Sequence, residues 1–208
     1  MIFFPFSNPA RFEKEAERVK AVAISSSQAR AQSIALVFAF SILMGLLARV
    51  AVPLPFTPVP VTGQTLGVLL AGVVLGGPRA AAAMLLYLAQ GAAGLPVFSP
   101  AGPGGLAHLL GPTGGYLLSY PLAAFVVGWL AEPRRIRWLG LPALLAGEAV
   151  IFTMGAAWVA VLSQQPSSTV LSAAVWPFLP GEVIKVGLVF ALSALLGRRL
   201  RGESRGSG

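Results

Sequence analysis

The sequence predicts an all-α integral membrane protein, a bundle of six transmembrane helices with both termini on the cytoplasmic side. Three observations support this fold class. Of the 208 residues, 56% are hydrophobic and 11% are charged, whereas soluble domains contain roughly 25% charged residues. The apolar residues form long blocks near the length of about 20 residues that a helix needs to cross a bilayer. Basic residues gather at alternate ends of these blocks, as the positive-inside rule requires.

The chain is predicted to hold one membrane domain between two charged ends. We expect residues 1–30 to form a charged cytoplasmic or juxtamembrane segment, residues 31–197 the six-helix domain, and residues 198–208 a basic cytoplasmic tail. The first segment does not resemble a secretory signal, because its charged run follows a short FFPF cluster instead of preceding an apolar region. A helix near the lipid surface is the expected structure from Arg11 to Arg30.

Six apolar segments are predicted to cross the membrane, since spans that neighbours shield can be shorter than a full bilayer crossing. They cover residues 32–52, 62–76, 79–94, 113–131, 140–163 and 179–197. Between the first two, residues 53–61 contain four prolines, which predicts a stiff, extended connection. Residues 95–112 are rich in Gly and Pro and are expected to fold over the bundle, with an ordinary solvated loop as the alternative.

The distribution of basic residues along the chain supports the prediction of six spans. With six spans, all fifteen basic residues except Arg49 and Lys185 lie on one side, which the positive-inside rule makes cytoplasmic. A five- or seven-span arrangement would scatter the arginines over both faces. The net charge of +8 is therefore explained by membrane topology in the cell membrane and not by nucleic-acid binding.

Four ionisable residues fall inside or at the ends of the predicted spans: Arg49, Glu148, Glu182 and Lys185. Each costs roughly 2.5–3.5 kcal/mol at mid-bilayer and so needs a partner or a function. Glu182 and Lys185 are three residues apart on one helical face, where they can pair or jointly hold a ligand. Arg49 is expected at a similar depth. The structural alternative is that Glu182 and Lys185 form only an ion pair, while the side chain of Arg49 extends to the membrane interface. Glu148 is equally compatible with a structural and a ligand-facing role.

Small residues recur at four-residue spacing on the first span, at Ala31, Ala35 and Ala39. Such a face lets another helix approach closely. It can serve packing inside the bundle or docking of another membrane subunit.

Several chemistries are excluded by what the sequence lacks. There is no cysteine or aspartate, and His108 is the single histidine, so no metal site built from a His or Cys cluster is expected. The chain has no GxxxxGK[ST] phosphate loop, HExxH or GxSxG motif. We expect no enzyme activity and no cofactor, and any ATP would be used by other subunits. A membrane-embedded enzyme using Glu148 or His108 is the remote alternative.

Four runs in the chain resemble those of the BioY family, the biotin-binding S components of energy-coupling factor (ECF) vitamin transporters. They are PLPFTPVPVTGQTL (53–66), LLYLAQGAAGLPVF (85–98), GPTGGYLLSYPLAAFVVGWL (111–130) and WPFLPGEVIK (176–185). The resemblance covers about residues 30–197 in family order. It implies a six-helix S-component fold that binds biotin near the outer face, under the loop between spans one and two. It also implies two kinds of partner, a transmembrane coupling subunit and two ABC-type ATPases.

The family motif on the last span usually reads aspartate–x–x–lysine, and here Glu182 and Lys185 occupy it. The family's Ala-x-x-x-Ala face matches Ala35 and Ala39, with Ala31 one turn earlier, so the resemblance favours partner docking over packing. Lys185 or Arg49 is expected to neutralise the biotin carboxylate, and Glu182 to accept hydrogen bonds from the ureido group. Further ligand-binding candidates are polar or amphipathic: Gln64, Tyr87, Gln90, Tyr116, Glu148 and Trp158. The alternatives are a stand-alone oligomeric carrier and an S component for another small carboxylate vitamin.

Overall fold

The structure, a computed structural model, describes residues 9–131 and 136–203, and the side chains of residues 27–131 and 140–195. Parts of the predicted segments 1–30 and 198–208, and part of the basic turn after the fourth span, lie outside these ranges. The chain divides into two compact units, Met1–Leu36 and Val37–Gly208. The described elements, in chain order, are α1 (Pro9–Arg49), β1 (Ala51–Leu54), β2 (Thr57–Thr62), α2 (Gln64–Leu75), α3 (Gly77–Ala92), α4 (Leu106–Leu110), α5 (Gly114–Leu130), α6 (Ile136–Ser163), α7 (Ser167–Ala174) and α8 (Leu179–Glu203).

The described part of the chain is mostly helical, as predicted. Two helical stretches are long and apolar enough to cross a bilayer alone, Ser27–Arg49 with a mean hydropathy of 2.1 and Gly140–Ser163 with 1.8. Ser167–Ala174 and Leu179–Leu195, bent by 51° at their junction, add a third if the pair counts as one span. α2 and α5 are apolar but have only 12 and 17 residues. The six-span count and the orientation of the termini therefore stay predictions.

Helix α1 is longer than the predicted first span. The charged stretch and the apolar stretch form one uninterrupted helix of 41 residues. The reason is local: no proline or glycine lies between Pro9 and Gly45, so nothing in the sequence breaks the helix.

The connection between α1 and α2 is a β-hairpin, which the all-α prediction does not include. β1 and β2 are antiparallel, with Ala51 opposite Thr62 and Leu54 opposite Thr57, and the register is irregular between Val52 and Leu54. The extended backbone was predicted from the prolines, but the pairing was not. Proline is compatible with this ladder because both strands are edge strands, so each has one side without partners.

Helix α5 packs against α2, α3 and α6 and so lies at the centre of the second unit. Glycines allow the close approach between α5 and α6. A Cβ at Gly115 would lie 2.2 Å from Cβ of Trp158, and one at Gly155 would lie 2.2 Å from Cε1 of Tyr116. These contacts fix the side chains of Tyr116 and Trp158 against the opposite helix.

Both long connections contain a short helix. Residues 95–112 include α4, and residues 164–178 include α7. Ser99 and His108 from the first connection are buried, so this loop folds inward, as predicted, instead of being solvated throughout.

Candidate functional site

The candidate site is a cavity at the hairpin end of the second unit, lined by the hairpin, the two long connections, the starts of α2, α5 and α8, and the middle of α6. The space between its atoms measures ≈ 510 Å³, which includes the part that opens to solvent. One wall is apolar, with Leu117, Ile151 and Phe178. Other parts of the lining carry polar side chains, which suits a ligand that is part hydrocarbon and part hydrogen-bonding.

The polar wall is organised around the first turn of α8. Glu182 lines the cavity and is 5% exposed. Its Oε1 accepts a hydrogen bond from Lys185 Nζ at 2.7 Å, and its Oε2 accepts one from Thr65 Oγ1 at 2.7 Å. The carboxylate is thus held on both sides, by its own helix and by α2.

Lys185 contributes to this wall from behind. Besides Glu182, its Nζ donates to Thr62 O at 2.6 Å and to Thr65 Oγ1 at 2.8 Å. An ammonium group has three donors, so these acceptors satisfy all of them. Among the described side chains that line the cavity, Lys185 is absent. It therefore links α8 to the end of β2 and to α2. Its charge affects the cavity indirectly, because it pairs with Glu182, which lines the cavity.

A second polar group is built on Gln64 at the start of α2. Its Nε2 donates to Tyr87 Oη at 2.6 Å, and its Oε1 accepts from Thr62 Oγ1 at 3.1 Å. Tyr87 is fully buried and donates in turn to Val97 O at 3.3 Å. Gln64 lines the cavity, whereas Tyr87 stands behind it and fixes the orientation of the Gln64 amide.

The apolar wall contains three aromatic rings. Tyr116 and Phe152 meet edge to face with their centroids 6.4 Å apart, and Phe178 lies 6.4–6.5 Å from both. The hydroxyl of Tyr116 donates to Ala174 O, which anchors the end of α7. Such rings offer a broad apolar contact surface.

His108 also lines the cavity, from helix α4, and is 4% exposed. Its Nδ1 lies 2.8 Å from Pro103 O. Because a carbonyl only accepts, Nδ1 carries the proton, and the other ring nitrogen is left for a ligand. The ring stacks on Phe98 at 5.0 Å with an interplanar angle of 27°.

Besides Lys185, Tyr87 and Glu148, three further predicted ligand-binding residues do not line this cavity. Arg49 is exposed and donates through Nη2 to Pro96 O. Gln90 accepts from Ser41 Oγ at 3.3 Å. Trp158 donates through Nε1 to Gly111 O at 2.9 Å and joins α6 to the start of α5. Their predicted ligand roles are not tested by this arrangement.

Glu148 lies on α6, is 7% exposed, and neither carboxylate oxygen has a hydrogen-bond partner within the described residues. It faces a second, mainly apolar cavity of ≈ 1260 Å³ between α6 and α8. Glu182 and Phe152 line both cavities. The ligand role predicted for Glu148 therefore stays open.

Sequence reasoning missed Thr62, Thr65, Ser99 and His108 as site residues. The two threonines flank Gln64 in the run PVTGQTL, so their position next to a predicted site residue was the available signal. His108 was considered only for metal binding or catalysis. Within the ranges that the structure describes, no group of three or more His, Cys, Asp or Glu side chains is arranged to hold a metal ion.

The predicted docking residues lie on α1. Ala31 and Ala35 are exposed in the first unit, and Ala39 is exposed in the second. Their four-residue spacing places them on one face of the helix.

Comparison with known proteins gives consistent matches. The model of the BioY family matches residues 19–202. The biotin transporter BioY of Rhizobium etli is 37% identical over 174 residues, covering 79% of this chain and 88% of that protein. The probable biotin transporter BioY of Pyrococcus horikoshii is 34% identical over 175 residues, covering 84% of this chain and 99% of its own.

A solved structure, the S-component for biotin from an ECF-type ABC transporter, matches with a TM-score of 0.73 and 28% identity. The match covers 84% of this chain and 93% of that one. The four runs at 53–66, 85–98, 111–130 and 176–185 all fall within the residues that the family model matches. The chain belongs to the BioY family.

Proposed function

We propose that this protein binds biotin in the cavity at the hairpin end and serves as the substrate-binding S component of an ECF transporter. The observation that carries the proposal is the Glu182 carboxylate, which Lys185 and Thr65 hold in the lining of a cavity that also contains a cluster of aromatic rings. Relatives named as biotin transporters and the biotin S-component support the choice of ligand.

The chemistry of biotin matches the two walls. Its ureido group has two N–H donors, and the Glu182 carboxylate is a fixed acceptor that lines the cavity. Its thioether ring and aliphatic chain are apolar and suit Ile151, Phe152 and Phe178. Lys185 acts as a positioning residue in this proposal, because its three donors are taken up within the protein.

The ATP that powers uptake is used by partners: the chain has no phosphate-binding loop. We propose that a transmembrane coupling subunit docks on the face formed by Ala31, Ala35 and Ala39, and that two ABC-type ATPases join it. The chain itself crosses the cell membrane six times, with both termini cytoplasmic, as the distribution of basic residues favours.

Equilibrium binding of labelled biotin to the purified protein in detergent tests the proposal. Saturable binding of one biotin per chain is expected. Unlabelled biotin should compete, and other small carboxylate vitamins should not. Absence of saturable binding contradicts the proposal, and equal competition by another vitamin would reassign the ligand.

A second arm tests the need for partners. The protein alone in liposomes is expected to bind biotin without accumulating it in the lumen. Uptake without ATPases would instead indicate a stand-alone carrier.

A further inference from the structure

Two polar residues that the ligand cavity does not use, Arg49 and Gln90, lie together in a separate groove. The groove runs between the end of α1 and the connection that follows α3, and its space of ≈ 730 Å³ includes open solvent. Its remaining walls are apolar and include Ile42, Leu46 and Leu95. A guanidinium and an amide thus stand beside a hydrocarbon surface.

The polar groups in the groove have hydrogen-bond donors to spare. Arg49 is exposed, and among the described residues its bond is the one from Nη2 to Pro96 O, whereas a guanidinium has five N–H donors. Gln90 accepts a hydrogen bond from Ser41 through Oε1, so its NH₂ group remains available to donate to a ligand. The groove therefore offers positive charge and donors, the complement of an anionic oxygen group.

The position of these groups relative to the apolar walls defines the ligand further. Arg49 is the last residue of the candidate span Ser27–Arg49, and the end of a helix that crosses a bilayer lies at the membrane surface. Ile42 and Leu46 lie roughly 10 Å and 5 Å from it along the helix axis and are 58% and 63% exposed. A molecule that fills the groove needs an anion at the surface and a hydrocarbon chain pointing into the bilayer.

We propose that this groove binds an anionic glycerophospholipid. Its phosphate lies against Arg49 and Gln90, and one acyl chain lies along Ile42, Gly45 and Leu46. Arginine matches a phosphate better than lysine does because its planar donors bind two oxygens at once. The missing side chain of Gly45 helps to form the groove: a Cβ there would lie 3.4 Å from Cβ of Val97, so a larger side chain would take up the space of the acyl chain.

Native mass spectrometry of the protein in detergent tests the proposal, with phosphatidylglycerol and phosphatidylcholine of identical acyl chains added at equal concentrations. Both lipids carry the phosphate, but the choline ammonium of phosphatidylcholine brings a second positive charge close to Arg49. The wild-type protein is therefore expected to retain phosphatidylglycerol about tenfold more than phosphatidylcholine. Arg49→Gln should remove this preference. Gly45→Val should reduce retention of both lipids while keeping Arg49 in place.

Arg30→Gln is the matched control, because Arg30 is another exposed arginine of α1, and it should leave the preference unchanged. Thermal unfolding of each variant shows that it is folded. Equal retention of both lipids by the wild-type protein overturns the proposal. The proposal is also overturned if Arg30→Gln loses the preference for phosphatidylglycerol as fully as Arg49→Gln does. It is overturned as well if inorganic phosphate raises the thermal unfolding midpoint of the wild-type protein as much as phosphatidylglycerol does.

Discussion

The substitution Lys185→Met is the most informative perturbation of the cavity wall. It keeps a side chain of similar length but removes the three hydrogen bonds from Nζ to Thr62, Thr65 and Glu182. The side chains of Lys185 and Glu182 are 15% and 7% exposed. In Lys185→Met, Glu182 is therefore a buried charge without its counter-ion. Breaking one partner of such a pair costs about 3–5 kcal/mol.

Removing both charges should be less harmful than removing one, because no unpaired buried charge remains. The double variant Glu182→Gln/Lys185→Met is therefore expected to regain most of the stability that Lys185→Met loses. It should not regain biotin binding, since the carboxylate that accepts the ureido N–H groups is gone. Lys185→Met alone should weaken biotin binding about 100-fold, equivalent to roughly 2.7 kcal/mol.

Thermal inactivation followed by labelled-biotin binding measures both quantities in the same preparations. Lys185→Arg is the matched control: it keeps the charge, but a planar guanidinium does not reproduce the three bonds of an ammonium, so an intermediate loss is expected. The reasoning is refuted if the double variant is as unstable as Lys185→Met, or if Lys185→Met binds biotin within about twofold of the wild type.

Three further substitutions test other parts of the site. Glu148→Leu should raise the thermal unfolding midpoint and leave biotin affinity within about threefold, because it removes a buried carboxylate without partners; a lower midpoint contradicts this. His108→Phe keeps an aromatic ring but removes both nitrogens, the one that bonds to Pro103 O and the one available to a ligand, so biotin titration should show about tenfold weaker binding; unchanged affinity speaks against a ligand role. Gly155→Ala should lower the unfolding midpoint because its Cβ meets Tyr116 at 2.2 Å; an unaltered midpoint would show that the two helices separate freely.

The helices were largely predictable because apolar blocks and Gly/Pro breaks are local features of the sequence. The predicted spans 113–131 and 179–197 begin within one residue of α5 and α8. The pairing of Glu182 with Lys185 followed from their three-residue spacing and is confirmed by the 2.7 Å contact. The hairpin was missed because its prolines argue against strand pairing, and nothing local reveals that Ala51 and Thr62 meet.

The direction in which a side chain faces around the bundle could not be predicted from the sequence. Arg49 was expected at the level of Lys185, but it faces a different groove, because hydropathy indicates how deep a residue lies and not which neighbours it faces. The partners Thr62 and Thr65 are 123 and 120 residues from Lys185 in the chain, so only the tertiary structure brings them to the pair. His108 could not be placed because its loop has no periodic pattern.

The central claim is that the Glu182 carboxylate holds biotin in the cavity at the hairpin end. Equilibrium binding of labelled biotin to Glu182→Gln and Glu148→Gln, side by side, tests it most directly, since both glutamates are buried but only the first lines that cavity. We expect Glu182→Gln to lose roughly tenfold or more in affinity, and Glu148→Gln to bind with near wild-type affinity. Wild-type affinity in Glu182→Gln, or an equal loss in both variants, would contradict it.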